Sequence, residues 1–136
     1  YCADISRTFV CGNDFNNTQK ELYSLSLEQI NHNSNLIKAD MSFKEFTEKS
    51  WKLPEEYYGN RYSVMVHGIG LCDEWPSIRY PTDGGDKSGR FLKNMTITVE
   101  SYIGKVGGKE GVKLEQQYLV GENGLELMSH HPLEDI

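Results

Sequence analysis

The chain has 136 residues, the size of one ordinary domain, and 38% of them are hydrophobic. This composition, with eight Tyr and five Phe, supplies enough apolar surface for a core and excludes wholesale disorder. The formal charge is −6 and no stretch is rich in Lys or Arg, which argues against nucleic acid as a partner. No apolar run reaches the length of a membrane span, so we expect no membrane association through one.

Three cysteines, an odd number, stand at positions 2, 11 and 72 and match neither a disulfide framework nor a zinc-ribbon spacing. We therefore expect reduced thiols in a cytoplasmic protein, with Cys2 and Cys11 as small core residues. A nucleophilic role for Cys72 is the weaker interpretation, because no His is close to it in sequence. The chain starts without Met on a strand-like segment, so we expect it to be part of a longer protein.

The first half of the chain predicts one strand followed by two helices. Residues 1–11 are rich in β-formers and read as a strand that ends at Gly12. A capping box of Thr18 and Glu21 predicts the start of a helix that runs to about residue 39. A second capping box, of Ser42 and Glu45, starts another helix, which Pro54 ends.

The second half predicts a series of strands. Tyr57, Tyr58 and Tyr62 lie in a loop before the first of them, and residues 76–90 form a long surface loop because they are rich in Pro, Gly and charged turn residues. The predicted strands cover residues 63–66, 95–99, 112–120 and 125–128, and the last two are joined by a hairpin turn at 122–124. This order predicts an α+β fold with helices packed on one face of a largely antiparallel sheet.

Four polar residues stand where these strands would favour apolar ones: Asp4, His67, Glu100 and Glu115. A buried carboxylate must be paired, hydrogen-bonded or bound to metal, and carboxylates that converge repel one another without a cation. Together the four would form an oxygen and nitrogen site suited to zinc, manganese, iron or cobalt. Taken singly, a strand Glu usually faces solvent and a lone His is usually structural, so the metal interpretation depends on the four together.

Four segments carry a resemblance to a known family: Ala-Asp-Ile-Ser-Arg-Thr at 3–8, His-Gly-Ile-Gly-Leu at 67–71, Val-Glu at 99–100 and Lys-Leu-Glu at 113–115. Their order resembles the pita-bread family of creatinase, prolidase, aminopeptidase P and methionine aminopeptidase. The resemblance implies a pita-bread fold with a curved sheet, of which residues 1–136 would be the C-terminal part of a single metalloenzyme catalytic domain. It also implies a homodimer of the full-length protein.

The same resemblance implies a dinuclear centre of divalent metal. Its ligands in this chain would be Asp4, His67, Glu100 and Glu115, with one further Asp upstream of the chain. The metal itself stays open among iron, zinc, manganese and cobalt, because an acidic site with one His accepts each of them.

The chain departs from the peptidases of this family at three places. Residues 71–76 read Leu-Cys-Asp-Glu-Trp-Pro, where the peptidases have a second His that contacts substrate. Ser101-Tyr102 stands where they typically have Pro-Gly, and Gln116 stands where they have Asp. A peptidase would lack a substrate-binding group here, so these departures argue against peptidase activity.

Segments such as Glu-Lys-Ser-Trp-Lys-Leu-Pro at 48–54 and Asp-Glu-Trp-Pro at 73–76 resemble one branch of the family, the dimethylsulfoniopropionate (DMSP) lyases of marine bacteria. This resemblance implies that the small-molecule substrate is DMSP and that Asp73 is the catalytic base. Tyr62 would line the substrate pocket. Because aromatic faces attract cations, Tyr62 and Trp75 are candidates for contacts with the sulfonium, whereas Tyr57 and Tyr58 are better explained as core residues.

Two other functions stay open. The first is an Xaa-Pro aminopeptidase or prolidase that uses the same metal site, and the second is a metal-free binding module of the same fold. Among the remaining polar residues, Arg7 is expected to pair with a carboxylate, and His130-His131 to bind metal only adventitiously.

Overall fold

The computed structural model describes residues 1–12, 14–71, 74–85 and 87–133. In chain order, the elements are α1 (Asn17–Leu36), α2 (Phe43–Lys49), α3 (Glu55–Tyr58), β1 (Val64–Gly68), β2 (Ser77–Arg79), β3 (Thr96–Gly104), β4 (Gly111–Val120) and β5 (Leu125–Leu127). The strands form one open sheet in the order β2-β1-β3-β4-β5, in which every neighbouring pair is antiparallel. The predicted α+β class with an antiparallel sheet is therefore confirmed. No helix in the described ranges is both long and apolar enough to cross a membrane.

The strand predicted for residues 1–11 does not form. This segment lies along the edge of β4, but only Ser6 makes a backbone bridge, to Glu115. Next to the bridge, side chains take the place of backbone partners: the Thr8 hydroxyl donates to the Lys113 carbonyl (2.8 Å) and accepts from the Lys113 amide (3.0 Å). At the other end the Asp4 amide donates to the side chain of Gln117. The β-formers thus produce an extended segment without a regular ladder.

Both long helices form, with bounds that differ from the prediction. The first starts earlier because Asn16 and Gln19, rather than Thr18 and Glu21, make the capping box. Ser42 caps α2 as predicted, since its hydroxyl accepts from the Glu45 amide at 3.1 Å. That helix ends at Lys49 and not at Pro54, because the backbone leaves the helical region at Ser50.

The second half contains two short elements within predicted loops. One is α3, in which Tyr57 is buried in the core, as expected for that residue. The other is β2, whose Ile78 is fully buried and lies opposite Val66 of β1. The strand predicted to end at Val99 continues to Gly104, so Glu100 lies inside β3 and not at its end. The hairpin between β4 and β5 is confirmed.

The register of the sheet separates its side chains into two faces, because directly opposed residues share a face and consecutive residues alternate. One face packs against α1, which contacts β3 and β4. Its paired residues are mostly apolar: Val66 with Val99, Ile97 with Tyr118, Ser101 with Leu114, and Ile103 with Val112. A buried polar contact joins the two layers, since the Ser101 hydroxyl donates to the Gln29 side chain of α1 at 2.6 Å. The alternate residues, including Glu100 and Glu115, face away from the helix.

An aromatic cluster anchors α2 to the segment before β3. The Phe91 ring is fully buried and meets Phe43 and Phe46 edge to face, with centroids 4.9 and 5.7 Å apart. Gly89 is required beside this cluster, since a Cβ there would lie 2.3 Å from the Phe43 ring.

We expect Phe91→Ala to lower the free energy of unfolding by about 3–5 kcal/mol, because it removes a buried ring and leaves a cavity. Leu92→Ala is the matched control: Leu92 is 54% exposed, so its truncation should change stability by less than about 0.5 kcal/mol. Urea denaturation of both variants measures the difference. Equal effects of the two substitutions would contradict the assignment of Phe91 to the core.

Candidate metal site

The sheet register brings three of the predicted site residues to one face. Glu100 of β3 and Glu115 of β4 are direct cross-strand partners, so their side chains stand side by side. His67 of β1 lies opposite Thr98, which is two residues before Glu100 and therefore on the same face. This face is the one turned away from α1. Two acidic side chains and one imidazole thus meet because of strand pairing alone.

The N-terminal segment adds the fourth predicted residue. The bridge between Ser6 and Glu115 fixes where this segment crosses β4, and Asp4 lies two residues before Ser6. The Asp4 side chain is partly exposed, and its Oδ2 lies 3.9 Å from His67 Nε2. The structure therefore places Asp4 with the other three, although the strand expected to hold it does not form.

The four side chains converge around the imidazole of His67. Its Nε2 lies 3.3 Å from Glu115 Oε1 and 3.6 Å from Glu100 Oε1, while its Nδ1 contacts the Gly68 carbonyl at 3.0 Å. His67 and Glu100 are each only 2% exposed, and Glu115 is fully buried. Asp4, His67 and Glu115 each offer one ligand atom, and these atoms lie within 4.8 Å of one another.

This donor set fits a divalent cation. Carboxylate oxygens and an imidazole nitrogen are ligands common to zinc, manganese and iron, and a cation would offset the repulsion between neighbouring carboxylates.

One member of the cluster was not predicted. Lys113 Nζ lies 2.9 Å from Glu100 Oε2 and 3.7 Å from Glu115 Oε2, so its ammonium pairs with the oxygens that face away from His67. Glu115 Oε2 also accepts a hydrogen bond from the Ser6 hydroxyl at 2.8 Å. A signal for Lys113 was present in the sequence: it stands two residues before Glu115 in the same strand, and residues at that spacing share a face.

The pKa values of the cluster show how closely its charges interact. Burial by itself would lower the pKa of His67, but hydrogen bonds to Glu115 and Gly68 and the charge of Glu100 raise it from 6.5 to about 9. Burial raises the pKa of Glu100 to about 7, even though Lys113 opposes the shift. Burial also acts to raise the pKa of Glu115, but contacts with His67, Ser6 and Lys113 outweigh it and lower that pKa.

Tyr62 lies at the edge of the cluster, where its ring contacts Lys113. The Lys113 ammonium is 4.7 Å from the centroid of the Tyr62 ring, and the Tyr62 hydroxyl donates to Glu74 Oε1 at 3.3 Å. Burial and the charge of Glu100 raise the pKa of Tyr62. Trp75 is 67% exposed and lines an open groove with Ser77 and Arg79. The predicted base Asp73 and its neighbour Cys72 lie outside the described residues.

Two predictions about other polar residues were wrong. Cys2 and Cys11 are exposed and not part of the core, because the segment that carries them lies at the edge of the sheet. Arg7 does not pair with a carboxylate in the described part of the chain. Its guanidinium donates to the backbone carbonyls of Ser6, Glu115, His131 and Pro132 and to the Gln116 side chain. Arg7 thereby ties the N-terminal segment and residues 131–132 to β4.

Comparisons with known proteins agree with this fold. The chain is 34% identical to the dimethylsulfoniopropionate lyase DddP of Roseovarius nubinhibens over 98% of its length, and 34% identical to the Xaa-Pro dipeptidase of Pyrococcus furiosus over 95% of its length. It covers only 30% and 36% of those two proteins.

A solved structure of an Xaa-Pro dipeptidase from Bacillus anthracis superposes with a TM-score of 0.79 at 30% identity, over 98% of this chain and 37% of that one. The likeness to a prolidase-type structure confirms the predicted pita-bread fold. The sequence profile of metallopeptidase family M24 matches residues 1–122, which include all four converging residues and Lys113. The chain therefore belongs to metallopeptidase family M24.

Proposed function

We propose that the full-length protein carrying this chain is a metal-dependent DMSP lyase, and that residues 1–136 form the C-terminal part of its catalytic domain. The proposed reaction is the β-elimination of DMSP to dimethyl sulfide and acrylate. Asp4, His67, Glu100 and Glu115 would hold the divalent metal, and the convergence of carboxylates around His67 is the observation that supports the metal centre most strongly. By family resemblance that centre is dinuclear.

The loop after β1 supports a lyase over a peptidase. It carries Asp73, Glu74 and Trp75 where the peptidases of this family have a substrate-binding His. The loop returns to the site, because the Gly68 amide donates to the Pro76 carbonyl at 2.8 Å. Gly68 is needed for this return, since a Cβ there would lie 1.9 Å from the Trp75 carbonyl oxygen. Gly68 and Pro76, the described residues on either side of this segment, are thus held next to His67.

In the proposed reaction, Asp73 accepts a proton from the carbon next to the substrate carboxylate. The electron pair left on that carbon forms the double bond of acrylate, and the bond between the neighbouring carbon and sulfur breaks to release dimethyl sulfide. A divalent cation bound to the substrate carboxylate would stabilise the negative charge that develops during proton removal. Tyr62 and Trp75 would contribute aromatic faces for the sulfonium. Tyr62 already holds a cation at 4.7 Å, the ammonium of Lys113.

An Xaa-Pro dipeptidase is the second candidate. The favouring observation is that the dipeptidase of Pyrococcus furiosus matches this chain at the same identity, 34%, as the lyase of Roseovarius nubinhibens. Both candidates use the same four metal-binding residues, so they differ in the group that handles the proton and in the substrate.

The first expected outcome concerns the substrate. The purified full-length protein should release dimethyl sulfide from DMSP and should leave Xaa-Pro dipeptides intact, because it has no second His after the His-Gly-Ile-Gly segment. Headspace gas chromatography measures dimethyl sulfide, and a ninhydrin assay of the same preparation measures dipeptide cleavage. Dipeptide cleavage without dimethyl sulfide release would rule out the proposed lyase function and support the dipeptidase function.

A second outcome separates the base from the metal ligands. Asp73→Asn should retain metal and lose turnover by about 10²–10⁴-fold, the usual contribution of a general base. His67→Ala should lose metal together with activity, because it removes a ligand from the centre of the cluster. Elemental analysis and DMSP turnover of both variants give the answer. Metal loss in Asp73→Asn would make Asp73 a ligand, whereas retained turnover would move the base to a neighbour such as Glu74.

A third outcome is the pH dependence of metal binding. His67 binds metal only as a neutral imidazole, so metal must displace a proton whose pKa is about 9 in the metal-free protein. Because the folded pKa lies above the ordinary 6.5, the proton stabilises the metal-free fold fully below pH 6.5, and this contribution disappears as pH rises through about 9.

Metal affinity should therefore rise by about tenfold per pH unit between about pH 7.5 and 8.5, and more steeply below that interval, where Glu100 with its pKa of about 7 also releases a proton. Calorimetric titration of the full-length protein with Mn²⁺ at pH 6.5, 7.5 and 8.5 would measure it, with the exposed His32→Ala variant as control. An affinity independent of pH would remove His67 from the ligand set. Failure of the wild-type protein to bind any divalent metal would instead favour a metal-free binding module.

A further inference from the structure

Thr98 carries a buried hydroxyl group without a hydrogen-bond partner. The residue is fully buried, and its Oγ1 neither donates nor accepts a hydrogen bond among the residues that the structure describes. Burying a hydroxyl group without a partner costs free energy, so most buried polar groups in native proteins are paired. A valine at this position would keep the shape of the side chain without that cost. The stability of the sheet therefore does not explain the hydroxyl group.

Thr98 lies on the face of the sheet that carries the candidate metal site. In β3 it stands two residues before Glu100, and residues at this spacing share a face. Its direct partners are His67 of β1 on one side and Gln117 of β4 on the other. The three side chains therefore form a row across three strands, with Thr98 in the middle and Glu100 in the next row.

Asp4 spans this row. Its backbone amide donates to Gln117 Oε1 at 3.3 Å, which holds the main chain of Asp4 near one end of the row. Its Oδ2 lies 3.9 Å from His67 Nε2, at the other end. Because Thr98 stands between Gln117 and His67, the Asp4 side chain reaches past Thr98 on its way to the imidazole. Asp4 is thus the predicted metal ligand that lies next to the Thr98 hydroxyl group.

The other polar groups in the two rows are already engaged. His67 Nε2 faces the Glu115 carboxylate at 3.3 Å, and its Nδ1 contacts the Gly68 carbonyl at 3.0 Å. The Gln117 side-chain oxygen accepts from the Asp4 amide. The Glu100 carboxylate has Lys113 Nζ at 2.9 Å. The Asp4 carboxylate is therefore the acceptor that best suits the Thr98 hydroxyl group.

We propose that Thr98 is a positioning residue of the metal centre, whose hydroxyl group donates a hydrogen bond to the Asp4 carboxylate when that carboxylate binds a cation. The inference rests on the proposed metal centre and extends it to a residue outside the ligand set.

Asp4 is the ligand that most needs such support. Its side chain is 36% exposed, whereas those of His67, Glu100 and Glu115 are at most 2% exposed. It also lies in a segment that forms no regular strand, so less of the surrounding structure fixes its orientation. A hydrogen bond from a neighbouring side chain restricts a carboxylate to one orientation, which raises its affinity for a cation.

The test measures metal affinity and thermal stability, without substrate. Full-length protein is freed of metal by chelation and titrated with Mn²⁺ in a calorimeter. Thr98→Val removes the hydroxyl group and keeps the branched shape, whereas Thr98→Ser keeps the hydroxyl group. The matched control is Thr47→Val, because the Thr47 hydroxyl group is also buried but donates to the Phe43 carbonyl at 2.8 Å, within α2 and outside the cluster.

We expect Thr98→Val to bind Mn²⁺ about 10–100-fold more weakly than the wild type, the usual effect of losing a group that orients a metal ligand. Thr98→Ser should stay within about threefold of the wild type, because it keeps the donor. Without metal, Thr98→Val should unfold at the same temperature as the wild type or a higher one, because it buries no unpaired hydroxyl group. Thr47→Val should unfold at a lower temperature and bind Mn²⁺ like the wild type.

Three results would overturn the inference: wild-type affinity in Thr98→Val, an equal loss of affinity in Thr98→Ser, or a lower unfolding temperature of metal-free Thr98→Val. The last would mean that the hydroxyl group stabilises the protein without metal. If Thr98→Val does not fold, Thr98→Ala is titrated in its place, with the same expectation for affinity. A wild-type protein that binds no Mn²⁺ would overturn the proposed metal centre itself, which distinguishes that failure from failure of the Thr98 role.

Discussion

Two carboxylates held side by side in a buried position are the constraint on which the rest of this structure depends. Glu100 and Glu115 are direct cross-strand partners and almost fully inaccessible to solvent. Each ion removed from water costs roughly several kcal/mol, and like charges opposite one another add repulsion. The pair is tolerated only because positive groups surround it: His67 lies at one edge and Lys113 at the other.

The sheet lets the chain carry this costly pair by separating its two faces. Side chains that alternate with the glutamates face α1 and belong to the core. Consecutive residues of β3 serve the two faces: the Glu100 side chain lies beside His67, and the Ser101 hydroxyl donates to Gln29 of α1. Burial of apolar surface on one face thus stabilises the strands that hold charged groups on the other. The N-terminal segment places Asp4 beside His67, and it is held there by Arg7 and by the Ser6–Glu115 bridge.

The family match does not by itself decide which reaction is catalysed. The family M24 match spans residues 1–122, and both a lyase and a dipeptidase resemble the chain at the same identity. A shared fold does not imply a shared reaction, because reactions depend on the groups placed around a common site. Here the proposed metal ligands are the same for both candidates, whereas the segment after β1 differs from the peptidase pattern. Substrate preference is therefore expected to lie in that short loop.

Much of the fold followed from the sequence by itself. Apolar alternation located β3 and β4, a short apolar segment located β1, and the Ser42–Glu45 capping box located the start of α2, because these signals act between residues a few positions apart. The four converging polar residues stood out for the same reason, as polar residues in segments rich in β-formers.

Only the tertiary structure decided how those pieces meet. It showed that residues 1–11 lie along β4 without forming a strand, since side chains of Thr8 and Gln117 replace backbone partners. It also showed that Lys113 completes the cluster and that Arg7 binds carbonyl oxygens. These contacts join residues more than a hundred positions apart or on adjacent strands. Their geometry depends on the register of the sheet and on competition for backbone partners, which local patterns do not contain.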